Sequence, residues 1–504
     1  MDHLLKITDE SRFQVGTYLC ACPNYDTLKR MLKLRHLPNG AGRKSVCSLV
    51  FDLLTSFTNL FVAYLLKFNF LSAIKTPAGI TVFFATLLVV SMMLSPFLLS
   101  ISMWGMVGVV LWNAVDRLQQ AGDLKGLSGI SAALKVLEYT FRRFFSQPAF
   151  LILSLLLLVP AVSYFWSSNH EFWLERTRVR IPFFVLPWVF ANFPDLSKFQ
   201  YRTVLYTMFW TVFIICIGVG INFLLHSEEI LANLGQGQPV PVPRNHIRFN
   251  LILATAILVG GWLWEQGYYL RYAWERKVLM TAVILMFIFI HVLSVRSGIV
   301  TLYASLLFSV FRFVVRTRRW KAGLITLLFI IITPVLAVLS IPSLQQRLTY
   351  MAWDWQQYQR NDGDDYSDSE RWVSFAAGMQ MWRENPWLGV GTGDLPMEVQ
   401  RIVNQRFPKY TIEPKLPHNQ FIYILAGTGI IGFVLSMLAF IWPIVTGGRR
   451  HFYLFAIFQI IILMSFLVEY TIETSIGVAY YLFYLCWFWK MAEVERKTKF
   501  IVGY

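Results

Sequence analysis

The sequence is poor in charged residues and in cysteine for its length. Charged residues make up 15% of the 504 residues and hydrophobic residues 56%, whereas a soluble domain is nearer a quarter charged and half apolar. The five cysteines include no CxxC pair and no set with the spacing of zinc ligands. These shortages exclude a disordered chain, a disulfide-stabilised scaffold and an ordinary cytosolic enzyme.

The sequence also lacks an internal repeat and a low-complexity tract. We expect no cleavable signal peptide, because the N-terminal region is polar and basic. What it has instead is long apolar runs, many of which approach or exceed the roughly 20 residues needed to cross a bilayer. We predict an all-α polytopic membrane protein with about twelve transmembrane helices. The segments are 79–96, 98–116, 147–166, 178–194, 203–226, 247–264, 277–295, 297–316, 321–341, 419–446, 451–469 and 472–490.

The distribution of basic residues predicts the orientation of the chain. The sequence has 45 Lys+Arg against 29 Asp+Glu, yet residues 342–418 hold eight basic and ten acidic residues. Because Lys and Arg accumulate in cytoplasmic loops, we expect this long loop to face the periplasm. The basic turns at 316–321 and 449–450, and both termini, are then cytoplasmic. This explanation of the positive charge makes a nucleic-acid partner unexpected.

The predicted organisation has five parts. Residues 1–76 form a cytoplasmic N-terminal segment, 77–341 transmembrane helices 1–9, 342–418 a helical periplasmic loop with active-site residues, 419–490 transmembrane helices 10–12, and 491–504 a cytoplasmic tail. Residues 45–67 are apolar enough to suggest another span, but a span there would place the basic N-terminus outside. We interpret them as an interfacial amphipathic helix.

The long loop contains a predicted helix followed by a glycine-rich turn. The helix covers 369–383, and residues 388–394 read LGVGTGD. One face of the helix carries Arg371, Phe375, Met379 and Trp382. A nucleotide-binding glycine fingerprint follows a strand in a βαβ unit, and no such strand is predicted. We therefore interpret the glycines as a sharp turn after a helix.

An acidic cluster precedes that helix and is a candidate for a divalent cation. It consists of Asp362, Asp364, Asp365, Asp368 and Glu370. The spacing does not match an EF-hand loop, and a solvated run of charge is the commoner explanation. We expect no metal site here.

Five side chains near the predicted outer face are candidates for chemistry. His418 opens an apolar run at the end of the loop, where a neutral imidazole can act as general base on a hydroxyl; a structural role is the alternative. Arg296 and Arg371 can form a fork for phosphate oxygens, although an arginine at a membrane boundary also snorkels. His246 and Arg248 form a secondary site near the same face.

Two strings in the loop carry a resemblance to a known family. Residues 371–394 (RWVSFAAGMQMWRENPWLGVGTGD) and 416–432 (LPHNQFIYILAGTGIIG) resemble the O-antigen ligase family, and 293–299 (LSVRSGI) resembles its earlier arginine motif. That family shares a superfamily with the O-antigen polymerases and certain bacterial protein O-oligosaccharyltransferases. The similarity extends from about residue 246 to the C-terminus, and the part before about residue 80 departs from the usual pattern.

The resemblance implies an inverting GT-C-type glycosyltransferase of the bacterial inner membrane that needs no metal or other cofactor. It would move a glycan from undecaprenyl pyrophosphate to an acceptor hydroxyl at the periplasmic face, with lipid A–core as the expected acceptor in lipopolysaccharide biosynthesis. Arg296 and Arg371 would bind the pyrophosphate, and His418 would activate the acceptor.

Three other functions stay open. An O-antigen polymerase and a protein O-oligosaccharyltransferase would need the same donor site. A glycolipid transporter fits less well, because coupling sites in transporters use charged residues inside the spans, and the predicted spans have few.

Overall fold

The computed structural model describes residues 75–359, 367–407, 415–446 and 452–501. The described residues form helices and turns, without a strand. The helices in chain order are α1 Pro77–Leu94, α2 Pro96–Ala121, α3 Gly129–Phe145, α4 Pro148–Phe165 (with short 3-10 turns), α5 His170–Arg180, α6 Pro182–Ala191, α7 Lys198–Leu225, α8 Ser227–Gly235, α9 His246–Glu265, α10 Glu275–Val292, α11 Arg296–Thr317, α12 Trp320–Ser340, α13 Pro342–Gln359, α14 Ser367–Glu384, α15 Leu395–Arg406, α16 Gln420–Val445, α17 Tyr453–Val468 and α18 Ser475–Ile501. The predicted interfacial helix at 45–67 lies outside the described residues.

Eight helices in the described part of the chain are long and apolar enough to cross a membrane, namely α1, α2, α4, α7, α9, α11, α12 and α16. Helix α17 is also apolar but shorter. The class predicted from the sequence, an all-α polytopic membrane protein, is therefore confirmed for the described residues. Of the other predicted spans, 277–295, 451–469 and 472–490 stay predictions.

The predicted span at 178–194 is wrong. The chain forms two short helices there, α5 and α6, which meet at Ile181. Pro182 occupies the first position of α6, where proline is favoured because its missing backbone N–H would have no partner inside the helix. Helix α5 also ends with Arg178 and Arg180, so the apolar stretch that follows is too short to cross a bilayer.

The last helix is longer than predicted. Helix α18 runs to Ile501, whereas the sequence suggested a tail from residue 491. Two cations of α7 hold this extension, because Lys198 and Arg202 bind Glu495 at 2.9 and 3.0 Å. The ion pairs give the polar end of α18 a partner within the bundle.

Helix α9 is the most enclosed of the eight candidate spans. It packs against α7, α10, α11, α17 and α18. Its first turns approach α11 closely, because a Cβ atom added at Gly298 would lie 2.6 Å from Cβ of Asn250. The N-terminal ends of α9 and α11 therefore meet, and these ends carry His246, Arg248 and Arg296.

Helices α13, α14 and α15 form the long loop, and two of them share a small apolar core with α16. Its fully buried members are Val373, Ala377, Met381, Leu395, Val399, Ile402, Val403, Tyr423 and Ala426. The buried face of α14 is thus not the face that carries Arg371 and Phe375. Arg371 is instead left at the edge of this core.

Candidate active site

Asparagine caps fix the starts of the two helices that carry the histidines. The side chain of Asn419 accepts hydrogen bonds from the backbone N–H groups of Phe421 and Ile422 at the start of α16. Asn245 does the same for Ile247 and Arg248 at the start of α9. Such caps satisfy donors that have no partner within the helix. His418 and His246 are therefore held beside well-defined helix ends.

Three of the predicted side chains converge on one carboxylate, Glu469, which is 1% exposed. His418 Nδ1 lies 3.3 Å from Glu469 Oε1. Arg371 Nη2 donates to the same oxygen at 3.3 Å, and Arg248 Nη1 lies 3.7 Å from Oε2. The carboxylate therefore links the candidate base to two candidate phosphate-binding arginines.

The charge of Glu469 is stabilised by these neighbours. Burial on its own raises the pKa of the carboxyl group, but the hydrogen bond with His418 and the electrostatic effect of His418, Arg248 and Arg371 outweigh it. The pKa of Glu469 is thus held below its usual value. A lowered pKa means that the carboxylate stays ionised at neutral and mildly acidic pH.

The segment after His418 ties α16 to the turn between α17 and α18. The side-chain amide of Asn419 donates to the backbone carbonyl of Leu467 at 2.9 Å. Gln420 donates to Glu473 Oε1 at 2.8 Å and accepts from the backbone N–H of Ile472 at 3.0 Å. Three consecutive residues, 418–420, therefore contact the end of α17 and the turn that carries Glu469.

A buried ion pair also supports this turn. Arg180 Nη2 donates to Glu473 Oε1 at 2.6 Å, and both side chains are almost fully buried. Arg176 also donates to the backbone carbonyl of Glu473 at 3.2 Å. A buried ion pair is costly to break, because removing one member leaves an uncompensated charge. These contacts therefore hold the turn against α5.

A pocket beside Glu469 gathers the remaining predicted residues. Its lining includes His246, Arg296, Arg347 and Arg371. His246 is the first residue of α9 and Arg296 the first residue of α11, so two helix N-termini face the pocket. Helix N-termini and guanidinium groups both favour anions.

The glycine-rich turn packs on α16 instead of forming a phosphate cradle. The backbone N–H groups of Val390 and Gly391 donate to the carbonyls of Ala426 and Gly427 at 2.9 and 3.0 Å. Gly429 has a φ of 63° within α16, and a Cβ there would lie 2.2 Å from the carbonyl oxygen of Trp387. The predicted sharp turn after α14 is confirmed, and its glycines permit backbone contact with a break in α16.

Asp394 ends this turn and fixes it to α5. Its carboxylate accepts hydrogen bonds from the backbone N–H groups of Ser168 and Asn169 at 2.7 to 2.9 Å. The glycine-rich turn is therefore a structural junction between the loop, α5 and α16.

The acidic cluster is described only in part. Asp362, Asp364 and Asp365 lie outside the described residues, and Glu370 binds Lys415. Among the residues that the structure describes, no group of three His, Cys, Asp or Glu side chains is arranged to hold a metal ion.

Sequence reasoning missed two residues of the site, Glu469 and Arg347. Glu469 lies 51 residues from His418 in a short turn, and Arg347 lies on α13 and donates to the carbonyl of Gly237 at 2.7 Å. The sequence does hold a signal for Glu469, since this carboxylate ends an apolar run. An ionisable residue beside a span usually has a partner. No comparable signal marks Arg347.

Comparison with known proteins gives one family match. Residues 281–437 match the family model described as O-antigen ligase. This segment is similar to that family. The resemblance noted in the sequence is thereby confirmed for these residues, and the match supports a function in the ligase and polymerase superfamily. No curated protein sequence matches the chain.

The matched segment contains only part of the candidate site. Arg296, Arg347, Arg371 and His418 lie within the matched residues, whereas His246, Arg248 and Glu469 lie outside them. The fold completes the site by bringing α9 and the turn after α17 against the matched segment.

Proposed function

We propose that this protein is an inverting glycosyltransferase that moves a glycan from undecaprenyl pyrophosphate to an acceptor hydroxyl, with lipid A–core as the expected acceptor. One observation carries the proposal: His418 and two arginines meet on the buried Glu469, beside a pocket lined by further cations. The O-antigen ligase match supports the same class of reaction.

The cationic pocket would hold the pyrophosphate of the donor. Breaking the glycosyl–phosphate bond develops negative charge on the leaving group, and fixed guanidinium groups at Arg296 and Arg371 would stabilise that charge. Such preorganised electrostatic stabilisation is typically worth about 3 kcal/mol per donor group. Arg347 and the N-termini of α9 and α11 add positive potential at the same place. Arg248 offers two more buried donors, Nε and Nη2, which have no hydrogen-bond partner among the described residues.

His418 would act as the general base, with Glu469 as its orienting partner. When Nδ1 carries the proton and donates it to Glu469, Nε2 is the ring atom that accepts the proton of the acceptor hydroxyl. The hydroxyl oxygen then attacks the anomeric carbon as the pyrophosphate leaves, which inverts that carbon. General-base assistance of this kind contributes about 10²- to 10⁴-fold to a rate.

Arg371 connects the two halves of this reaction, because it lines the pocket and binds Glu469. We infer that the site faces the periplasm and that the donor enters sideways from the lipid. The proposed chemistry uses no metal, since the charge of the leaving group is met by arginines.

The test is a transfer assay with purified protein, undecaprenyl-pyrophosphate-linked glycan and EDTA. Three acceptors are offered separately: lipid A–core, a second lipid-linked repeat unit, and a protein with exposed Ser and Thr. We expect glycosylated lipid A–core. Product only on the repeat unit would identify a polymerase, and product only on the protein an O-oligosaccharyltransferase. A glycan that crosses the membrane while still attached to its lipid would indicate a transporter and would contradict the proposal.

A further inference from the structure

Three aromatic side chains are exposed together on the loop helices. Trp355 on α13 is 47% exposed, and Trp372 and Phe375 on α14 are 50% and 39% exposed. The ring centroids of Trp355 and Trp372 are 6.3 Å apart, and those of Trp372 and Phe375 are 6.4 Å apart. Exposed apolar clusters of this kind mark binding surfaces more often than isolated exposed residues do.

The cluster lies on the same two helices as two arginines of the cationic pocket. Trp372 directly follows Arg371, a lining residue of the pocket, and Phe375 lies one turn further along α14. On α13, Trp355 lies about two turns beyond Arg347, another lining residue. Helices α13 and α14 therefore each contribute an arginine to the pocket, and they also carry the aromatic side chains of the cluster.

We propose that Trp355, Trp372 and Phe375 form a stacking surface for pyranose rings of the donor glycan, near the pyrophosphate pocket. A pyranose has an apolar face of C–H bonds and a polar edge of hydroxyl groups. Aromatic rings offer large, rigid apolar faces, and exposed Gln356 next to Trp355 offers an amide for hydroxyl groups. This inference rests on the proposed function, because sugars bonded to a pyrophosphate in the pocket must lie at its rim.

Donor length tests whether the rings stack on sugars of the donor. Transfer is measured with wild-type protein and with Trp372→Ala and Trp355→Ala, using undecaprenyl pyrophosphate that carries either one sugar or a full repeat unit. We expect the KM of the full-repeat donor to rise roughly threefold to tenfold, and that of the one-sugar donor to change less. A rise confined to the KM of a core-bearing acceptor, relative to a truncated acceptor, would contradict donor binding and assign the rings to the acceptor.

Trp387→Ala is the matched control. Trp387 is 68% exposed and belongs to the same loop, but it follows the opposite end of α14 from Trp372. We expect wild-type KM values for this variant with both donors. Trp372→Phe keeps an aromatic face and should recover part of the loss.

Two results would overturn the stacking surface. Unchanged KM values in Trp355→Ala and Trp372→Ala would show that the rings do not contact sugars. An equal loss with every donor and acceptor would instead assign the tryptophans to an aromatic belt at the membrane interface.

A titration without catalysis separates failure of this inference from failure of the proposed function. Glycan released from its lipid carrier by mild acid is titrated into the purified protein, and heat is recorded. Weaker binding to Trp372→Ala than to wild type supports the surface even if no acceptor is glycosylated. Equal binding to both proteins contradicts it, whatever the transfer assay gives.

Discussion

At the scale of single residues, His418 and Glu469 form the pair on which the proposed chemistry depends. Their side chains are 3.3 Å apart, and residues that act as a unit give strongly non-additive losses. We expect Glu469→Gln to lower kcat about 10- to 100-fold and His418→Ala about 10²- to 10⁴-fold. The double variant should lose little more than His418→Ala alone.

Initial rates of the four proteins measure this coupling, and donor binding by each variant provides the control for folding. Losses in the double variant that equal the product of the two single losses would show that Glu469 does not act through His418.

A second prediction at this scale concerns Arg371. Lysine keeps the charge but cannot reproduce the planar fork of the guanidinium group. We expect Arg371→Lys to lower kcat/KM about tenfold or more, because the side chain contacts Glu469 and lines the pocket. Arg383→Lys is the matched control, since Arg383 is exposed in the last turn of the same helix. Equal kinetics for the two lysine variants would remove Arg371 from the donor site.

Several residues that lie together in the candidate site were predicted from their types and positions. His418 and Arg371 lie near Glu469, and Arg296 and His246 line the adjacent pocket. Glu469 was not predictable as their partner, because periodicity and motifs report local structure and not which turn packs against which helix. The long-range contacts of residues 418–420 decide that pairing.

At the scale of elements, the break in α16 is the place where the long loop packs against the helices of the bundle. Gly429 has positive φ, and the carbonyl of Trp387 occupies the space where a Cβ would lie. We expect Gly429→Ala to destabilise the protein by about 1–3 kcal/mol and to lower its Tm. Activity should fall in parallel, since α16 begins two residues after His418.

Gly218→Ala in α7 is the control for this change, because a Cβ at Gly218 meets no atom within 4 Å. Alanine also favours helix over glycine, so Tm should stay the same or rise. The measurement is thermal unfolding in detergent, followed by size-exclusion chromatography. A Gly429→Ala protein as stable as Gly218→Ala would show that the loop does not depend on this contact.

The sequence predicted the helices well where apolar runs were uninterrupted and less well where proline or arginine divided them. Segments such as 79–96 and 203–226 correspond closely to α1 and α7. Residues 178–194 became two short helices, since hydropathy averages over the junction at Pro182. The buried face of α14 was not predictable either, because tertiary packing on α15 and α16 selects it.

At the scale of the whole molecule, the orientation of the loop can be tested directly. In a cysteine-free background, we expect Gln400→Cys in α15 to react with a membrane-impermeant maleimide in intact spheroplasts. Thr317→Cys, at the end of α11, should react only after permeabilisation. Both positions are exposed in the structure, so burial does not explain a difference. The reverse pattern would contradict a periplasmic site and the positive-inside argument.

The central claim is that His418, held by Glu469 beside a cationic pocket, activates the acceptor in glycan transfer. The most direct measurement follows consumption of undecaprenyl-pyrophosphate-linked glycan by wild-type and His418→Ala protein at saturating acceptor. We predict that wild type converts the donor to glycosylated acceptor with an inverted anomeric carbon. His418→Ala should bind the donor and convert it at least about 100-fold more slowly. Conversion by His418→Ala at the wild-type rate, or a product with retained configuration, would contradict the claim.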